Sequence, residues 1–315
     1  MDTRKRDVDV AVIGSCMIDM ICYTPRIPRP GETLHGTSFE MGNGGKGANQ
    51  CVAATKLGAS TALVAVLGND VFGKKYHEHL RSEGVNVDHV RLTEDCHSGM
   101  AQITVTETGE NCIVIVAGSN MLLSLDDVKK ARDVLLNTKV VIFQLETPIS
   151  TTLEALKYLK TEGNCTTILN AAPAVSDLPE SIFSLCDVFC VNEIEAEQLA
   201  GIKVENVESA GKAVEYFKNL GSNVVIITLG EKGIVYQDRS NKTVHLPVRK
   251  INPVDSTGAG DAFVGALAFY MARYPQMSFN MQVERSAYVA TESVLKKGTQ
   301  TSYPQRSDLP TELFL

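Results

Sequence analysis

Short apolar runs rich in β-branched residues alternate with helical patterns along most of this chain of 315 residues. In several runs the apolar residues are consecutive, as in Val224-Val225-Ile226-Ile227, so both faces of such a strand would be buried. Buried strands separated by helices indicate a parallel sheet that is covered by helices on two sides. The sequence therefore predicts an α/β fold with strands at residues 8–13, 61–67, 140–145, 166–170, 187–192 and 223–229.

Helical periodicity fills the intervals between these strands. Ser124 with Asp127, and Ser209 ahead of Ala213 and Val214, are residue types that commonly begin helices. We expect helices at residues 48–57, 73–83, 124–137, 150–162, 193–200, 209–220, 259–274 and 282–297.

Two stretches in the N-terminal half interrupt the alternation. Residues 17–39 are rich in proline and turn residues, and residues 100–116 contain two alternating runs around Glu107-Thr108-Gly109-Glu110, a pattern typical of a hairpin. The two stretches could pair into a small sheet that stands apart from the main one and acts as a lid or a dimer surface. They could equally form an ordinary hairpin at the edge of the main sheet, and the residues alone leave both interpretations open.

Composition and charge exclude several classes of protein. Hydrophobic residues make up 44% of the chain and charged residues 21%, which excludes long intrinsic disorder. With 30 basic and 37 acidic residues, the chain has no electrostatic footprint for nucleic acid or an anionic membrane. The longest apolar run, 262–272, is shorter than the roughly 20 residues that span a bilayer, and residues 1–7 show no signal-peptide pattern. We expect no nucleic-acid or membrane partner and a cytoplasmic location, with the nucleus left open.

Most of the eight cysteines lie inside apolar segments, as do Cys51, Cys112 and Cys190. Cys186 and Cys190 are close in sequence, but no second pair or nearby histidine completes a zinc site. We therefore interpret the cysteines as reduced thiols of the core.

Two glycine-rich segments fit phosphate-binding patterns only in part. Gly42-Asn43-Gly44-Gly45-Lys46-Gly47 matches the dinucleotide pattern G-x-G-x-x-G, but no buried apolar strand precedes it. Residues 68–75 approach the P-loop pattern, but Lys75 stands where a hydroxyl is needed for Mg²⁺. An ordinary turn from strand to helix accounts for residues 68–75.

A third segment, residues 255–261, leads directly into an apolar helix. Unpaired N–H groups at a helix start can hold a phosphoryl group, and Gly258 and Gly260 have no Cβ atom to prevent its close approach. Asp261 alone could simply cap the helix. Capping does not account for two glycines between Asp255 and Asp261, so the pattern favours a phosphate site.

Two motifs resemble the signatures of the ribokinase family of sugar and nucleoside kinases, the larger PfkB-type group. Gly44-Gly45-Lys46-Gly47-Ala48-Asn49-Gln50 is similar to the N-terminal signature, and residues 255–261 are similar to the C-terminal one. Lesser matches at Gly14-Ser15, Gln144-Leu145-Glu146 and Lys297-Gly298 extend the resemblance over nearly the whole chain.

The resemblance implies a Rossmann-like three-layer sandwich with a mainly parallel sheet. It implies a single catalytic domain at residues 1–315, with a small β-sheet lid from about residues 17–42 and 98–117 that pairs across a homodimer. The implied reaction transfers the γ-phosphoryl group of ATP to O5 of D-ribose. Asp261 would be the general base. The anion hole would consist of the backbone N–H groups of Gly258, Ala259 and Gly260.

Carried over residue by residue, the resemblance implies three binding sets. The sugar would be bound by Met17, Asp19, Gly45, Lys46, Gly47, Asn49, Glu146 and Asp261. ATP and Mg²⁺ would be bound by Asn192, Glu195, Thr228, Leu229, Gly230, Glu231, Lys232, Gly233, Gly260, Asp261 and Ala287. A monovalent cation, K⁺, would be bound by Asp255, Thr257, Ser293, Lys296, Gly298 and Ser302.

Two of these residues depart from the family pattern. Met17 stands where bacterial members have asparagine, so one hydrogen bond to the sugar would be missing or supplied elsewhere. Ala287 stands where the family often has a polar side chain toward adenine. Fructose, a keto-deoxy sugar acid or adenosine stay open as acceptors. A nicotinamide-dependent oxidoreductase that uses residues 42–47 and a non-catalytic sugar-binding module are the alternatives from other classes.

Overall fold

The computed structural model describes residues 8–238 and 240–315, so the N-terminal segment 1–7 lies outside the described residues. The strands are β1 (Val10–Ile13), β2 (Met17–Thr24), β3 (Ser38–Gly44), β4 (Thr61–Gly68), β5 (Asn86–Thr93), β6 (Gly99–Thr106), β7 (Asn111–Val116), β8 (Val140–Phe143), β9 (Thr166–Asn170), β10 (Val188–Asn192), β11 (Val224–Thr228), β12 (Ile234–Gln237) and β13 (Thr243–Leu246). The helices are α1 (Lys46–Lys56), α2 (Val71–Ser82), α3 (Leu125–Lys130), α4 (Arg132–Leu135), α5 (Ile149–Glu162), α6 (Ser181–Leu185), α7 (Glu193–Ala200), α8 (Val207–Asn219), α9 (Ala259–Arg273) and α10 (Phe279–Ser293).

Among the described residues, nine strands form the main sheet, in the order β13-β12-β11-β10-β9-β8-β1-β4-β5. The strands from β11 to β5 pair in parallel, and β12 and β13 add an antiparallel edge. Successive side chains of β1 enter opposite core layers: Val12 packs in the layer that contains Phe269 of α9, and Ile13 packs in the layer that contains Phe217 of α8. The predicted three-layer α/β sandwich is therefore confirmed.

All six strands expected from consecutive apolar runs are present, as β1, β4, β8, β9, β10 and β11. The prediction missed three strands at the two edges of the sheet, namely β5, β12 and β13. An edge strand such as β5 mixes buried with exposed residues, so its sequence lacks the continuous apolar run by which central strands were recognised.

Two predicted helix boundaries were wrong. Residues 124–137 form two short helices, because the chain tightens at Ala131, whose N–H is shared between the carbonyl oxygens of Asp127 and Val128. Helix α8 is capped by Asn206 rather than by Ser209, since the Asn206 side chain accepts a hydrogen bond from the Ser209 N–H at 2.9 Å. The predicted capping box of Ser124 and Asp127 is present.

The four remaining strands form a second, separate sheet in the order β3-β2-β6-β7. Its two central strands, β2 and β6, pair in parallel over eight residues. The sheet therefore stands apart from the main one, as the first of the two interpretations requires, and β3 reaches Gly44, beyond the expected limit at residue 42.

The structure bears on the expectations about membrane-spanning helices and about the cysteines. In the part of the chain that the structure describes, no helix is both long and apolar enough to cross a membrane. The eight cysteines are free thiols, but the assignment of all of them to the core was wrong. Cys112 is exposed, because every residue of β7 is exposed at the edge of the small sheet.

Candidate active site

The chain turns sharply into α9 at Gly258. This residue has a φ of +77°, and a Cβ atom there would lie 2.7 Å from the Tyr303 hydroxyl and 3.2 Å from Thr299 Cγ2. The Ala259 N–H makes a long turn bond of 3.3 Å to the Ser256 carbonyl oxygen. Only glycine fits this corner, which places Asp261, 7% exposed, in the first turn of the helix.

Both carboxylate oxygens of Asp261 accept hydrogen bonds from α1. Asn49 Nδ2 donates to Oδ2 at 3.0 Å, and Gln50 Nε2 donates to Oδ1 at 2.8 Å. The start of α1, which carries the N-terminal signature, thus meets the start of α9, which carries the C-terminal signature. In this structure Asn49, expected to bind the sugar, is bonded to the candidate base.

A cavity of about 140 Å³ lies at the carboxyl ends of three parallel strands. The last residues of β9, β10 and β11 line it, as ligand sites of open α/β sheets generally require. The cavity brings together Lys46 and several of the residues expected at the base and its anion hole or at the nucleotide. Its polar and glycine lining consists of Lys46, Asn170, Asn192, Glu195, Thr228, Gly258, Gly260 and Asp261.

The charges around this cavity affect one another. Burial, followed by the charges of Glu146 and Asp261, raises the pKa of Asp19 to about 6. Burial alone would lower the pKa of the Lys46 ammonium. The pKa is instead raised, because three carboxylates act on it: Asp261, Glu146 and Glu195. Lys46 is therefore a cation inside an acidic site, where it can attract the phosphates of a nucleotide.

The residues expected to bind the sugar meet where β2 passes the start of α1. Gly45 has a φ of +90°, and a Cβ atom there would lie 2.6 Å from the Met17 backbone nitrogen, so glycine is required for this contact. Glu146 Oε2 accepts hydrogen bonds from the Lys46 N–H at 2.9 Å and from the Ser15 hydroxyl. Asp19 follows Met17 on β2 and lies against Gly44. Gly47 is packed against the backbone of Ser15 and Gly14.

Met17 contributes an apolar side chain at this place. It is 3% exposed, and its sulfur accepts a contact from Asn120 Nδ2 at 3.5 Å. Asn120 otherwise bonds to the backbone of Cys16 and Ala117, so its amide is occupied by the protein itself. The hydrogen bond that asparagine would make at position 17 is not replaced by Asn120.

Of the residues expected at the nucleotide, those that end β10 and β11 line the cavity with Glu195, whereas the turn 229–233 and Ala287 are not part of its lining. Asn192 and Glu195 form a capping box at the start of α7, with the Asn192 N–H bonded to Glu195 Oε2 at 2.9 Å. Thr228 ends β11, and a short turn follows it in which the Leu229 N–H bonds to the Gly233 carbonyl oxygen at 2.8 Å. The turn consists of Gly230, Glu231 and Lys232. Ala287 is a buried residue of α10, 6% exposed.

Some of the residues expected to bind a monovalent cation are joined by hydrogen bonds. Asp255 accepts hydrogen bonds from the Thr257 N–H and the Gly298 N–H, both at 2.9 Å. Burial alone would raise the pKa of Asp255, but the bonds from Gly298 and Thr257 lower it. Ser293 and Ser302 are buried and bond to backbone carbonyl oxygens, whereas Lys296 is exposed.

Several residues of the site were not predicted. Ser15, Gln50 and Gln144 stand inside the quoted motifs but were given no role. Asn170 could have been found, because it ends a predicted strand at the binding edge of the sheet. Gln300 lies between Gly298 and Ser302, which were assigned to the cation, but no residue pattern marks Gln300 itself.

Comparison with known proteins identifies the family and similar folds. The model of the pfkB family carbohydrate kinases matches residues 7–306. The chain is 46% identical to a ribokinase of Mus musculus, over 97% of this chain and 94% of that protein. It is 38% identical to a deoxyribokinase of Salmonella typhi, over 94% and 96%. Its structure is similar to Arabidopsis thaliana ribokinase complexed with ribose and ATP, at a TM-score of 0.87 and 30% identity, covering 96% and 97% of the two chains.

Proposed function

This chain belongs to the pfkB family of carbohydrate kinases, and on that premise we propose that it transfers the γ-phosphoryl group of ATP to O5 of D-ribose. The observation that carries the proposal is the setting of Asp261. Its carboxylate is buried in the first turn of α9, and it lines one cavity with Lys46, Gly258 and Gly260. A hydroxyl acceptor, a base and a phosphate-binding helix start can meet there.

Phosphoryl transfer asks the protein mainly to position groups and to stabilise charge. Asp261 takes the proton of the attacking hydroxyl, since it is the acidic residue in the first turn of α9. The backbone N–H groups at residues 258–260 and the positive end of α9 stabilise the negative charge that develops on the transferred group. The Lys46 ammonium adds a positive charge to the same cavity.

The sugar is bound at the junction of β2 and α1. Asp19 and Glu146 accept hydrogen bonds from sugar hydroxyls, and Lys46 donates. The Glu146 carboxylate is already oriented by the Lys46 N–H and the Ser15 hydroxyl, so little freedom is lost when the sugar binds. Asp19 comes from the small sheet, whereas Glu146 and Lys46 come from the body of the protein.

ATP carries the transferable phosphoryl group and is accompanied by Mg²⁺. Asn192 and Glu195 would order Mg²⁺ through water, since Mg²⁺ keeps much of its hydration shell. Their reciprocal bonds at the start of α7 hold them at the cavity. The turn 228–233 lies beneath the nucleotide, and Ala287 presents an apolar surface to adenine.

A monovalent cation, K⁺, fits the loop pair of residues 255–257 and 293–302. The Val254 N–H and Asp255 N–H both bond to the Val294 carbonyl oxygen, at 2.8 and 3.2 Å, which joins the two loops. Asp255 stays ionised between them because its pKa is lowered. Asp255, Thr257, Ser293, Lys296, Gly298 and Ser302 would hold the cation mainly through backbone oxygens, and a cation there supports the anion hole.

Met17 favours a second acceptor, 2-deoxy-D-ribose. A buried sugar hydroxyl that lacks a partner costs binding energy, and a sugar without that hydroxyl avoids the cost. Met17 offers only a thioether, and the Asn120 amide is occupied. A sugar that lacks one hydroxyl therefore loses little binding free energy at this site. The similarity to a deoxyribokinase supports this candidate.

The small sheet acts as a lid and pairs across a homodimer. Its edge strand β7 exposes four consecutive apolar side chains, which a monomer would leave in water. These are Ile113, Val114, Ile115 and Val116, at 50 to 63% exposure.

A kinase with free thiols and an ATP requirement would work in the cytoplasm.

The test is a coupled assay of ADP release with a panel of acceptors, with K⁺ or Na⁺. We expect ribose and 2-deoxyribose to exceed fructose and adenosine, and K⁺ to raise the rate. Ribose ranking below fructose or adenosine would overturn the proposed acceptor. Asp261→Asn is the matched variant: it should lower kcat by about 10²–10⁴-fold while ATP and ribose still bind in calorimetry. Equal losses in turnover and binding would contradict its role as base.

A further inference from the structure

We propose that Gln50 is a positioning residue that holds the Asp261 carboxylate in the orientation needed for proton transfer, and that Gln144 holds Gln50 in turn. The inference rests on the proposed role of Asp261 as base. Gln50 and Gln144 both lie in motifs, and neither residue takes part in the proposed proton transfer itself.

Gln50 uses both N–H groups of its amide at the site. Its Nε2 donates to Asp261 Oδ1 at 2.8 Å and to Asn170 Oδ1 at 2.9 Å. Gln50 is fully buried, so water does not compete for these bonds. A carboxylate only accepts hydrogen bonds, and the amide nitrogen must therefore face Asp261 while its oxygen faces away.

Gln144 holds the oxygen of the Gln50 amide. Gln144 Nε2 donates to Gln50 Oε1 at 2.7 Å, and Gln144 is 1% exposed. If the Gln50 amide were turned over, its nitrogen would face the Gln144 nitrogen and its oxygen would face the Asp261 carboxylate. Donor would meet donor at Gln144, and acceptor would meet acceptor at Asp261, so the Asp261 carboxylate opposes that arrangement and the Gln144 amide, as it is oriented here, adds to the opposition.

The Gln144 side chain itself is incompletely satisfied. Among the described residues, its Oε1 has no hydrogen-bond partner although it is buried. A buried acceptor without a partner is unfavourable for folding, and an apolar side chain would avoid the cost. The benefit of an amide at position 144 lies in its bond to Gln50.

The second carboxylate oxygen is held in the same way. Asn49 Nδ2 donates to Asp261 Oδ2 at 3.0 Å, and Gln300 Nε2 donates to Asn49 Oδ1 at 3.0 Å. Gln300 also donates to the Tyr76 hydroxyl at 2.8 Å. Each carboxylate oxygen of Asp261 thus accepts a hydrogen bond from a side-chain amide. The oxygen of that amide in turn accepts a bond from a further buried amide.

This arrangement matters because the last torsion of an aspartate is broad and does not fix the carboxylate plane by itself. Two bonds, one to each oxygen, define that plane. A carboxylate has about four lone-pair positions, so two stay available to receive the proton of the acceptor. Small errors in the placement of a base are known to lower rates by orders of magnitude.

The first test compares Gln50→Leu and Gln50→Glu with the parent enzyme. Leucine keeps most of the volume and removes the donors, while glutamate keeps the shape and turns an acceptor toward Asp261. We expect both to lower kcat by about 10- to 100-fold, with KM for ribose and for ATP within about threefold. Gln144→Leu, which leaves Gln50 in place but removes the bond to its amide oxygen, should lower kcat by a smaller factor than Gln50→Leu.

The matched control is Gln282→Leu. Gln282 is also buried, at 6% exposure, but its amide donates to the Tyr274 carbonyl oxygen at the far end of α9, roughly 20 Å from Asp261 by helix rise. We expect this variant to lose thermal stability without loss of kcat. A Gln50→Leu enzyme that loses stability but keeps kcat, or loses kcat and substrate binding equally, would overturn the inference.

A double variant separates this inference from the proposed function. If Gln50 acts through Asp261, Gln50→Leu should add almost nothing to the loss caused by Asp261→Asn, and the two effects will be non-additive. Full additivity would overturn the role of Gln50. An Asp261→Asn enzyme with parental turnover would instead overturn the base itself. Should Gln50→Leu fail to fold, the kcat of Gln144→Leu decides: a parental value would contradict the inference.

Discussion

The backbone N–H of Lys46 donates a hydrogen bond to Glu146 Oε2 at 2.9 Å, which joins the start of α1 to the loop after β8. The N-cap position of α1 is Gly45, which has no side chain to cap the helix, so the Glu146 carboxylate takes the place of a cap. The same oxygen accepts a bond from the Ser15 hydroxyl. Glu146 therefore stabilises the helix on which Lys46, Asn49 and Gln50 depend.

Glu146→Ala should affect both stability and sugar binding. We expect a fall in thermal stability equivalent to about 1–2 kcal/mol from loss of the cap, and at least a roughly tenfold rise in KM for ribose. Ser15→Ala keeps the carboxylate and removes only one bond to it, so its KM should rise less. Thermal unfolding and initial-rate kinetics measure the two effects. A Glu146→Ala enzyme with the parental KM for ribose would contradict the role of Glu146 in sugar binding.

Asp19→Asn should make the protein more stable at neutral pH. The pKa of Asp19 is raised to about 6 by burial and by Glu146 and Asp261, so the folded state binds more protons than the unfolded state between about pH 4 and 6. The free energy of unfolding therefore falls as pH rises through this window. An asparagine at position 19 does not titrate, so the variant does not lose this stability. Denaturant unfolding should show a stability gain at about pH 7 that disappears near pH 4.

The same variant should bind ribose more weakly, because a neutral amide accepts sugar hydroxyls less strongly than a carboxylate. Stability and affinity would then move in opposite directions at one residue. An Asp19→Asn protein that is less stable than the parent at neutral pH would contradict the raised pKa.

Met17→Asn should change the ratio of activities toward ribose and 2-deoxyribose. The new amide can bond to a sugar hydroxyl, and one such bond is worth about 1–1.5 kcal/mol, or roughly a tenfold increase in preference for ribose. Met17→Leu is the control: it removes the sulfur but adds no donor, so the ratio should stay near the parental value. The ratio of kcat/KM for the two sugars is the measurement, and an unchanged ratio in Met17→Asn would exclude contact with the differing hydroxyl.

The lid edge offers a direct test of the homodimer. Val114→Glu together with Val116→Glu places two charges on one face of β7, and we expect the protein to sediment as a monomer at concentrations where the parent is a dimer. Val71→Glu is the control, since Val71 is 64% exposed at the start of α2 and lies outside the small sheet. A parent protein that is monomeric at every concentration would refute the homodimer.

The centre of the fold was easier to predict than its edges. Strands such as β1 and β11 are buried on both faces, and an unbroken apolar run of that length between turn residues is typical of a central strand. The edge strands β5 and β13 have residues in water on one side, and that mixture is equally typical of loops. The sequence left open whether a separate small sheet forms, because pairing between β2 and β6 joins segments that are distant in sequence.

The site was predictable only as far as the motifs reached. Asp261 and Lys46 were proposed from the two signatures, and membership of the family is confirmed. The bonds from Gln50 and Gln300 toward the base could not be read from the chain, since they depend on how α1 and the loop at residue 300 pack against α9. Gln50 stands in the N-terminal signature, but that motif does not show which residue the Gln50 amide contacts.

The six residues from Gly45 to Gln50 lie within less than two turns of chain and serve both the acceptor and the base. Any redesign of acceptor choice within this run would disturb the catalytic step as well. Met17 and Asp19 belong instead to a different sheet and make no hydrogen bond to Asp261 in the described structure. Laboratory evolution toward new sugars should therefore accumulate its useful changes on β2 and leave the beginning of α1 untouched.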